Sequence, residues 1–253
     1  MSLPRSRAVS PAGRLVGLGT LAGACAAGVQ GLPRALGYPP VRRLLPGLEG
    51  RGRSDHVALT FDDGPDPQST PAILKALALV DVRATFFVLG SMVERSGDLV
   101  AEIGELGHEV GVHGWDHGAQ VLRGPMRVRG DLLRTQTMIQ DLPGVTAAFY
   151  RPPYGKLTAA SLWAANSLGL RTVLWSAWGE DWAEAATGAS VLATLRPDLL
   201  GGATILLHDS DSQSVSGSWR AALACLAPLV EELRRQGLKV GPLSEHGLTK
   251  GWR

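Results

Sequence analysis

The chain has 253 residues, of which 45% are hydrophobic and 19% charged, so its composition is that of a globular protein and not of a disordered one. Its formal net charge of +2 is too small to indicate nucleic acid as a partner. The two cysteines, Cys25 and Cys225, stand far apart, so any metal must be held by histidine and carboxylate side chains. Glycine, with 32 residues, occurs about twice as often as its usual share of roughly 7%, which indicates many tight turns.

The first 54 residues differ in character from the rest. Three arginines precede an apolar run over 15–29, and small residues at 22–24 resemble a cleavage site. This order of parts predicts a signal or membrane-leader segment over 1–32, and hence an extracytoplasmic protein that meets the membrane only through this leader. The alternative is an apolar leader on a cytoplasmic protein. Proline, glycine and arginine then alternate without periodicity, which predicts a linker over 33–54.

Strand and helix patterns alternate over the predicted domain, residues 55–245, with a tail over 246–253. Ser69 is the expected N-cap of the first helix, and Gly107 the expected C-terminal stop of the second. Strands are predicted at 56–61, 84–89, 109–112, 148–150, 171–175, 203–207 and from 239, and helices at 72–80, 98–106, 127–140, 158–168, 190–195 and 219–236. Repeated βα units require parallel strands with right-handed crossovers, so we predict one α/β domain.

Residues that can bind a metal follow two of the predicted strands. Asp62 and Asp63 come directly after the first strand, and two adjacent carboxylates are costly unless a positive charge lies beside them. His113 and His117 follow the third strand with a spacing that places both on one face of a helical turn. Two histidines and one carboxylate form the kind of set that binds a catalytic divalent ion with a position left open. Each pair alone has an ordinary explanation, as a turn or a surface helix, and only their joint placement favours a metal site.

Two further strand ends carry polar groups suited to acyl chemistry. The turn over 151–155 contains two prolines, which fix φ and leave later backbone N–H groups free to stabilise an oxyanion. His208 ends another strand beside Asp209, where it could serve as a general acid or as a polar strand cap.

Three tryptophans crowd one short segment, Trp175, Trp178 and Trp182. We assign Trp175 to packing and leave the roles of the other two open. Asp181 is the charged residue of this segment that we expect to point inward.

These segments, in this order, resemble the polysaccharide deacetylase family, also called the NodB-homology domain or carbohydrate esterase family 4. The resemblance covers residues 55–240 and includes T-F-D-D-G at 60–64, R-P-P-Y-G at 151–155 and L-x-H at 206–208. It implies a distorted (β/α) barrel of about seven parallel strands, NodB-like. It also implies metal-dependent removal of acetyl groups from sugars.

The resemblance also implies roles for individual residues. Asp62 is the general base and Arg151 orients it, while the metal ligands are Asp63, His113 and His117. One divalent ion is expected, with zinc as first choice and cobalt or nickel as alternatives, because such ligands do not select strongly by affinity.

The remaining implied roles concern the leaving group and the substrate. The backbone N–H of Tyr154 helps to hold the oxyanion, His208 is the general acid, and Asp181 steadies His208. The substrate-binding residues are Leu206 and Trp182, which wall a pocket for the acetyl methyl group, together with Pro153.

The chain departs from the family pattern at two positions. Gly114 stands where the family usually has serine or threonine, so a hydrogen bond that braces the metal loop is expected to be missing. Trp178 stands where the family commonly has an aspartate, which changes the expected groove and leaves the reaction unchanged.

The expected substrates are N-acetylglucosamine units of peptidoglycan or chitin-like oligosaccharides, acted on by a monomer. Alternatives are an O-deacetylase of acetylated polysaccharide, an N-deacetylase of a small glycosylated metabolite, and a catalytically silent carbohydrate-binding relative.

Overall fold

The structure, a computed structural model, describes residues 43–248, so the predicted leader and the first part of the predicted linker lie outside the described residues. The α-helices and strands, in chain order, are α1 (Pro46–Glu49), β1 (His56–Asp62), α2 (Thr70–Leu79), β2 (Thr85–Leu89), α3 (Gly90–Glu105), β3 (Glu109–Gly114), α4 (Pro125–Gln140), β4 (Ala147–Tyr150), α5 (Ala159–Ser167), β5 (Arg171–Thr172), β6 (Ala177–Trp178), α6 (Gly188–Leu195), β7 (Thr204–His208), α7 (Trp219–Arg235) and β8 (Lys239–Gly241). Short 3₁₀ helices lie at Gln120–Leu122, Pro153–Gly155, Arg196–Asp198 and Leu243–Glu245. Within the described part, no helix combines the length and the apolar character needed to cross a membrane.

All strand pairs are parallel, which confirms the α/β prediction. The sheet order is β5-β4-β3-β2-β1-β7-β6, and β8 pairs with the beginning of β1. Asp62 at the end of β1 is in register with Phe87 of β2 and His208 of β7. The carboxyl ends of the strands therefore meet at one edge, where an α/β fold places its functional residues.

The sheet curls into an incomplete barrel. Its two edge strands, β5 and β6, are separated in the chain only by residues 173–176. Five residue steps span at most about 18 Å, so the two edges must approach each other. The N–H of Leu174 in this segment donates to the carbonyl oxygen of Leu48, at 2.8 Å, which places α1 across the opening. This geometry confirms the distorted barrel.

Side chains of β1 alternate between two environments, as expected for a strand buried on both faces. Val57, Leu59 and Phe61 belong to the main apolar core, together with residues of the flanking helices. Ala58 belongs to a small second cluster with Phe87, which lies inside the barrel. The same alternation turns the side chain of Asp62 inward.

Residues on both sides of the predicted domain pack against the barrel. Residues assigned to the linker form α1 and the following turn, where the carbonyl oxygen of Gly50 accepts a hydrogen bond of 2.6 Å from Thr204 Oγ1. Residues assigned to the tail include His246, which is fully buried and has its Nδ1 2.9 Å from Nδ1 of His56. Both segments close the amino-terminal end of the barrel, where buried polar groups need partners.

Three local predictions also need correction. Helix α3 begins at Gly90 and is kinked at Ser96, which has φ −145°, so the predicted helix matches only the part after the kink. Strand β5 ends at Thr172 because the next residues cross the opening. The hydroxyl of Ser69 does not cap α2: its Oγ lies 2.6 Å from the carbonyl oxygen of Asp209, to which it donates, and 3.0 Å from Asp66 Oδ1. Gly107 has φ 78°, as expected for the residue that stops a helix.

Candidate active site

The end of β1 places two carboxylates side by side in the barrel mouth. Asp62 and Asp63 are each only 3% exposed. Asp63 has φ 79°, a left-handed conformation that aspartate tolerates better than most residues. This turn leaves Asp62 directed into the barrel and points Asp63 towards the loop that follows β3.

Asp63, His113 and His117 form a set that can hold a metal ion. Asp63 Oδ1 lies 3.3 Å from Nε2 of His113 and 3.3 Å from Nε2 of His117. The three ligand atoms all lie within 4.8 Å of one another. Asp63 Oδ1 is buried and accepts no hydrogen bond from the described residues, and a buried unpaired carboxylate oxygen is costly. A divalent cation among these atoms would remove that cost, so the residues present fit the metal that the family pattern implies.

Each of the two histidines can offer its Nε2 to a metal. Nδ1 of His113 lies 2.8 Å from the carbonyl oxygen of Arg151, and donation of its proton leaves the Nε2 lone pair free for an ion. Burial, reinforced by the neighbouring His113, lowers the pKa of His117 to about 4, so its ring is neutral at pH 7.

The prediction that both histidines share one helical turn is wrong. His113 belongs to β3, and His117 lies in an irregular bend beyond the strand. Gly114 makes this bend, with φ 117°, a value that strains any residue with a Cβ.

Arg151 fixes the orientation of Asp62. Its guanidinium is fully buried inside the barrel, and Nη1 donates to Asp62 Oδ1 and to Thr60 Oγ1, each at 2.7 Å. Nη2 donates to the carbonyl oxygen of Leu174 at 2.8 Å, and the guanidinium carbon lies 4.1 Å from the ring centroid of Phe87. Asp62 Oδ2 remains 3.8 Å from Nε2 of His113, beside the candidate metal site. Asp62 is thus held as an oriented carboxylate whose second oxygen faces the reaction space.

His208 and Asp181 form a second ion pair at the end of β7. Nδ1 of His208 lies 3.0 Å from Asp181 Oδ1, and the backbone N–H of His208 donates to Oδ2 at 2.7 Å. Burial alone would lower the pKa of His208, but the charge and hydrogen bond of Asp181 outweigh it and raise the pKa to about 10. The imidazolium is therefore charged at pH 7, with the Nε2 proton available to the cavity.

A cavity of about 390 Å³ joins these groups. Its lining residues are Asp62, Asp63, His113, His117, Tyr154, Lys156, Trp175, Trp178, Trp182, Leu206, His208, Gln213 and Ser214. Of the two residues predicted to wall the acetyl pocket, Leu206 is almost fully buried and Trp182 is 43% exposed, and both line this cavity.

The residues of the turn and of the tryptophan segment differ in their contact with the cavity. Pro153 is buried within the turn and does not line the cavity, whereas its neighbour Tyr154 does. Trp175, assigned to packing, also lines the cavity. Trp178, whose role was open, lies in the same wall and stacks on Trp182 with ring centroids 6.0 Å apart.

Several polar residues of the site escaped sequence reasoning. Thr60 Oγ1 accepts a hydrogen bond from the same guanidinium of Arg151 as Asp62 does. Thr60 lies two residues before Asp62 on β1 and so faces the same side of the strand, which was the signal that could have revealed it. Lys156, Gln213 and Ser214 line the cavity from loops, where no periodicity reveals orientation.

Comparison with known proteins agrees with this geometry. The family model described as "Polysaccharide deacetylase" matches residues 49–173. The chain is 33% identical over 208 residues to the peptidoglycan-N-acetylglucosamine deacetylase PgdA of Listeria monocytogenes, a match that covers 82% of this chain and 42% of that protein. It is 34% identical over 203 residues to a chitooligosaccharide deacetylase of a Bradyrhizobium species, covering 75% of this chain and 89% of that protein.

The fold agrees as well. The crystal structure of the Bc1960 peptidoglycan N-acetylglucosamine deacetylase superposes with a TM-score of 0.72 at 28% identity, covering 80% of this chain and 94% of that one. The chain spans less than half the length of the Listeria protein, but most of the length of the other two. The order of the motifs, the curled parallel barrel and these matches together show that the chain belongs to the polysaccharide deacetylase family.

Proposed function

We propose that this protein is a metal-dependent hydrolase that removes the acetyl group from N-acetylglucosamine units and releases acetate. The observation that carries the proposal is the placement of three groups around one cavity: the Asp63, His113 and His117 set, the Asp62–Arg151 pair, and the His208–Asp181 pair. These groups supply what amide hydrolysis needs, namely a Lewis acid site, a base and an acid.

Zinc is the ion we propose first, with cobalt or nickel as alternatives, because two imidazoles and one carboxylate suit these ions and leave coordination positions open. When bound, such an ion would polarise the substrate carbonyl and acidify a water molecule. The chain's own contribution is to hold the ligands in place and to keep the imidazole of His117 neutral.

Asp62 is suited to take the proton from the attacking water. The hydrogen bond from Arg151 to Oδ1 fixes the carboxylate, and Oδ2 is left on the side of the candidate metal ligands. A base must lie within reach of the proton it removes, and the second oxygen of Asp62 lies beside the candidate metal ligands.

The turn over 151–155 is suited to stabilise the oxyanion. The N–H groups of Gly155 and Lys156 donate to the carbonyl oxygens of Pro152 and Pro153, at 2.9 and 3.1 Å, and are used within the turn. Tyr154 has φ 58° and stands at the cavity, so its N–H is the one we assign to the oxyanion.

His208 is suited to protonate the leaving amine. Its raised pKa keeps the proton on the ring at neutral pH, and Asp181 occupies Nδ1, so Nε2 is the nitrogen that donates. Loss of a positioned acid typically lowers the rate by about 100-fold to 10,000-fold.

The substrate class rests on the relatives and on the cavity wall. Relatives are named for peptidoglycan N-acetylglucosamine and for chitooligosaccharides. Tyr154, Trp178 and Trp182 present aromatic surface that can pack against sugar rings.

We also propose export from the cytoplasm, supported by the arginines and the apolar run near the amino terminus.

The test is acetate release from chitooligosaccharides, peptidoglycan fragments and acetylxylan by the zinc-loaded protein. We expect acetate from the first two, with an equal amount of new free amine, and none from the Asp62→Asn variant. Acetate from acetylxylan alone would favour the O-deacetylase alternative. No acetate from any substrate by the loaded protein would favour a silent carbohydrate-binding relative.

A further inference from the structure

His113 and His117 are held in different ways, although Nε2 of each faces the same oxygen of Asp63. Nδ1 of His113 is paired with the carbonyl oxygen of Arg151. Nδ1 of His117 is buried and has no hydrogen-bond partner in the described part of the chain. Its ring instead meets the ring of Tyr154 edge-on, with centroids 4.2 Å apart. The position of His117 therefore depends on the backbone of the loop that carries it.

That loop lacks the brace expected from the family pattern. Gly114 has no hydroxyl, and a Cβ at this position would lie 3.3 Å from the carbonyl oxygen of Asp116 and 3.3 Å from Nε2 of Gln120. With φ 117°, a serine or threonine here would be strained as well as crowded. The loop must be fixed by other groups.

Arg123 supplies such a brace from the far side of the loop. Its Nη2 lies 2.6 and 2.9 Å from the two carboxylate oxygens of Asp116, and Asp116 Oδ1 also accepts the N–H of Gly118 at 2.8 Å. Asp116 and Gly118 flank His117 in the chain, so one guanidinium holds both sides of the ligand. Nη1 of Arg123 donates to Asp131 of α4 at 2.9 Å, which ties the loop to a helix.

Two observations indicate that the side chain of Arg123 is closely packed against this loop. A Cβ at position 118 would lie 2.4 Å from Nη2 of Arg123 and 2.7 Å from Asp116 Oδ1, so the ion pair packs directly against Gly118. The side chains of Arg123 and Asp131 are only 21% and 13% exposed, so their charges are partly shielded from solvent.

We propose that Arg123 is a positioning residue for the metal site. By tying Asp116 to α4 it holds His117 in place before an ion binds, so less ordering is required on binding and the affinity rises. This inference rests on the proposed function, which assigns the metal to Asp63, His113 and His117.

The experiment measures the zinc dissociation constant of the metal-free protein by competition with a chromophoric chelator. It compares wild type with Arg123→Ala, Arg123→Lys and the control Arg127→Ala. Arg127 contacts the same carboxylate of Asp131, at 3.1 Å, but does not contact Asp116. We expect zinc affinity to fall on the order of 10-fold or more in Arg123→Ala, as for other residues that orient metal ligands. Lysine should restore part of the loss, because an ammonium can pair with Asp116 but cannot bridge two carboxylates as a guanidinium does. The control should bind zinc like wild type.

The absorption spectrum of the cobalt-loaded protein gives a second readout, since it responds to ligand geometry and not to overall stability. We expect altered bands in Arg123→Ala and wild-type bands in the control. Wild-type affinity and spectrum in Arg123→Ala, or an equal loss in the control, would overturn the proposal.

If Arg123→Ala does not fold, Asp116→Asn takes its place, because it keeps an acceptor for Gly118 and removes the ion pair. Wild-type affinity in Asp116→Asn would then overturn the proposal. A wild-type protein that binds no zinc would instead contradict the metal site itself, so the two failures are distinguishable.

Discussion

Asp62 accepts a hydrogen bond of 2.7 Å from Nη1 of Arg151, and the two side chains are 4% and 0% exposed. The backbone carbonyl oxygen of Arg151 also accepts a hydrogen bond from Nδ1 of His113. One residue therefore orients both the proposed base and one proposed metal ligand, which couples the two parts of the site.

The aspartate pair divides into a base and a ligand. Asp62→Asn should retain one zinc per chain and lose turnover, because asparagine keeps the hydrogen bond to Arg151 but cannot accept a proton from water. Asp63→Asn should lose zinc, because it weakens an oxygen that lies 3.3 Å from both imidazoles. Elemental analysis of the purified variants, together with acetate release, separates the two. Equal metal loss in both variants would show that the roles are wrongly assigned.

Removal of Arg151 should destabilise the fold. Arg151→Leu leaves Asp62 charged and buried without a partner, and breaking a buried pair in this way costs about 3–5 kcal/mol. Urea denaturation measures the loss, and the Arg151→Leu, Asp62→Leu double variant should recover part of it. The control is Glu94→Gln, which removes an ion pair with Arg134 whose side chains are 54% and 55% exposed, and should cost less than about 1 kcal/mol. A cost for Arg151→Leu as small as the control's would contradict the buried pair.

At alkaline pH, kcat should fall when His208 loses its proton. Because Asp181 raises the pKa of His208 to about 10, the proposed acid stays protonated at neutral pH and activity falls only as the pH rises through that value. Asp181→Asn removes the charge that raises the pKa, so the alkaline limb should move to lower pH.

The ion pair also stabilises the fold fully below the ordinary histidine pKa of about 6.5, and this contribution is lost as the pH rises through about 10.

His208→Ala provides the matching control for that profile. It should keep wild-type zinc content, lower kcat by about 100-fold to 10,000-fold and lose the alkaline limb. An unchanged alkaline limb in His208→Ala would assign that limb to a different group.

Much of the site follows from the sequence because parallel strands end at one edge. Asp62, His113, Arg151 and His208 each lie in or directly after a strand, so their placement at predicted strand ends was enough to assign them to one site.

The parts that sequence reasoning missed depend on contacts between distant residues. His117 lies in a bend that is set by the backbone of Gly114 and by Arg123, and a helical spacing alone could not show this. His246 packs at the base of the barrel against His56, which lies 190 positions earlier in the chain. No local sequence pattern reveals such a contact, so His246 was assigned to the tail. The short β5 likewise reflects closure of the barrel and not a local propensity.

The most direct test of the account is acetate release from an N-acetylated chitooligosaccharide as zinc is added stepwise to the metal-free protein. Activity should be absent at the start, rise linearly and reach its plateau at one equivalent of zinc per chain, because a single set of three ligands lies at the cavity within residues 43–248. His113→Ala should show no such plateau. Full activity after exhaustive chelation, or in His113→Ala, would contradict the account.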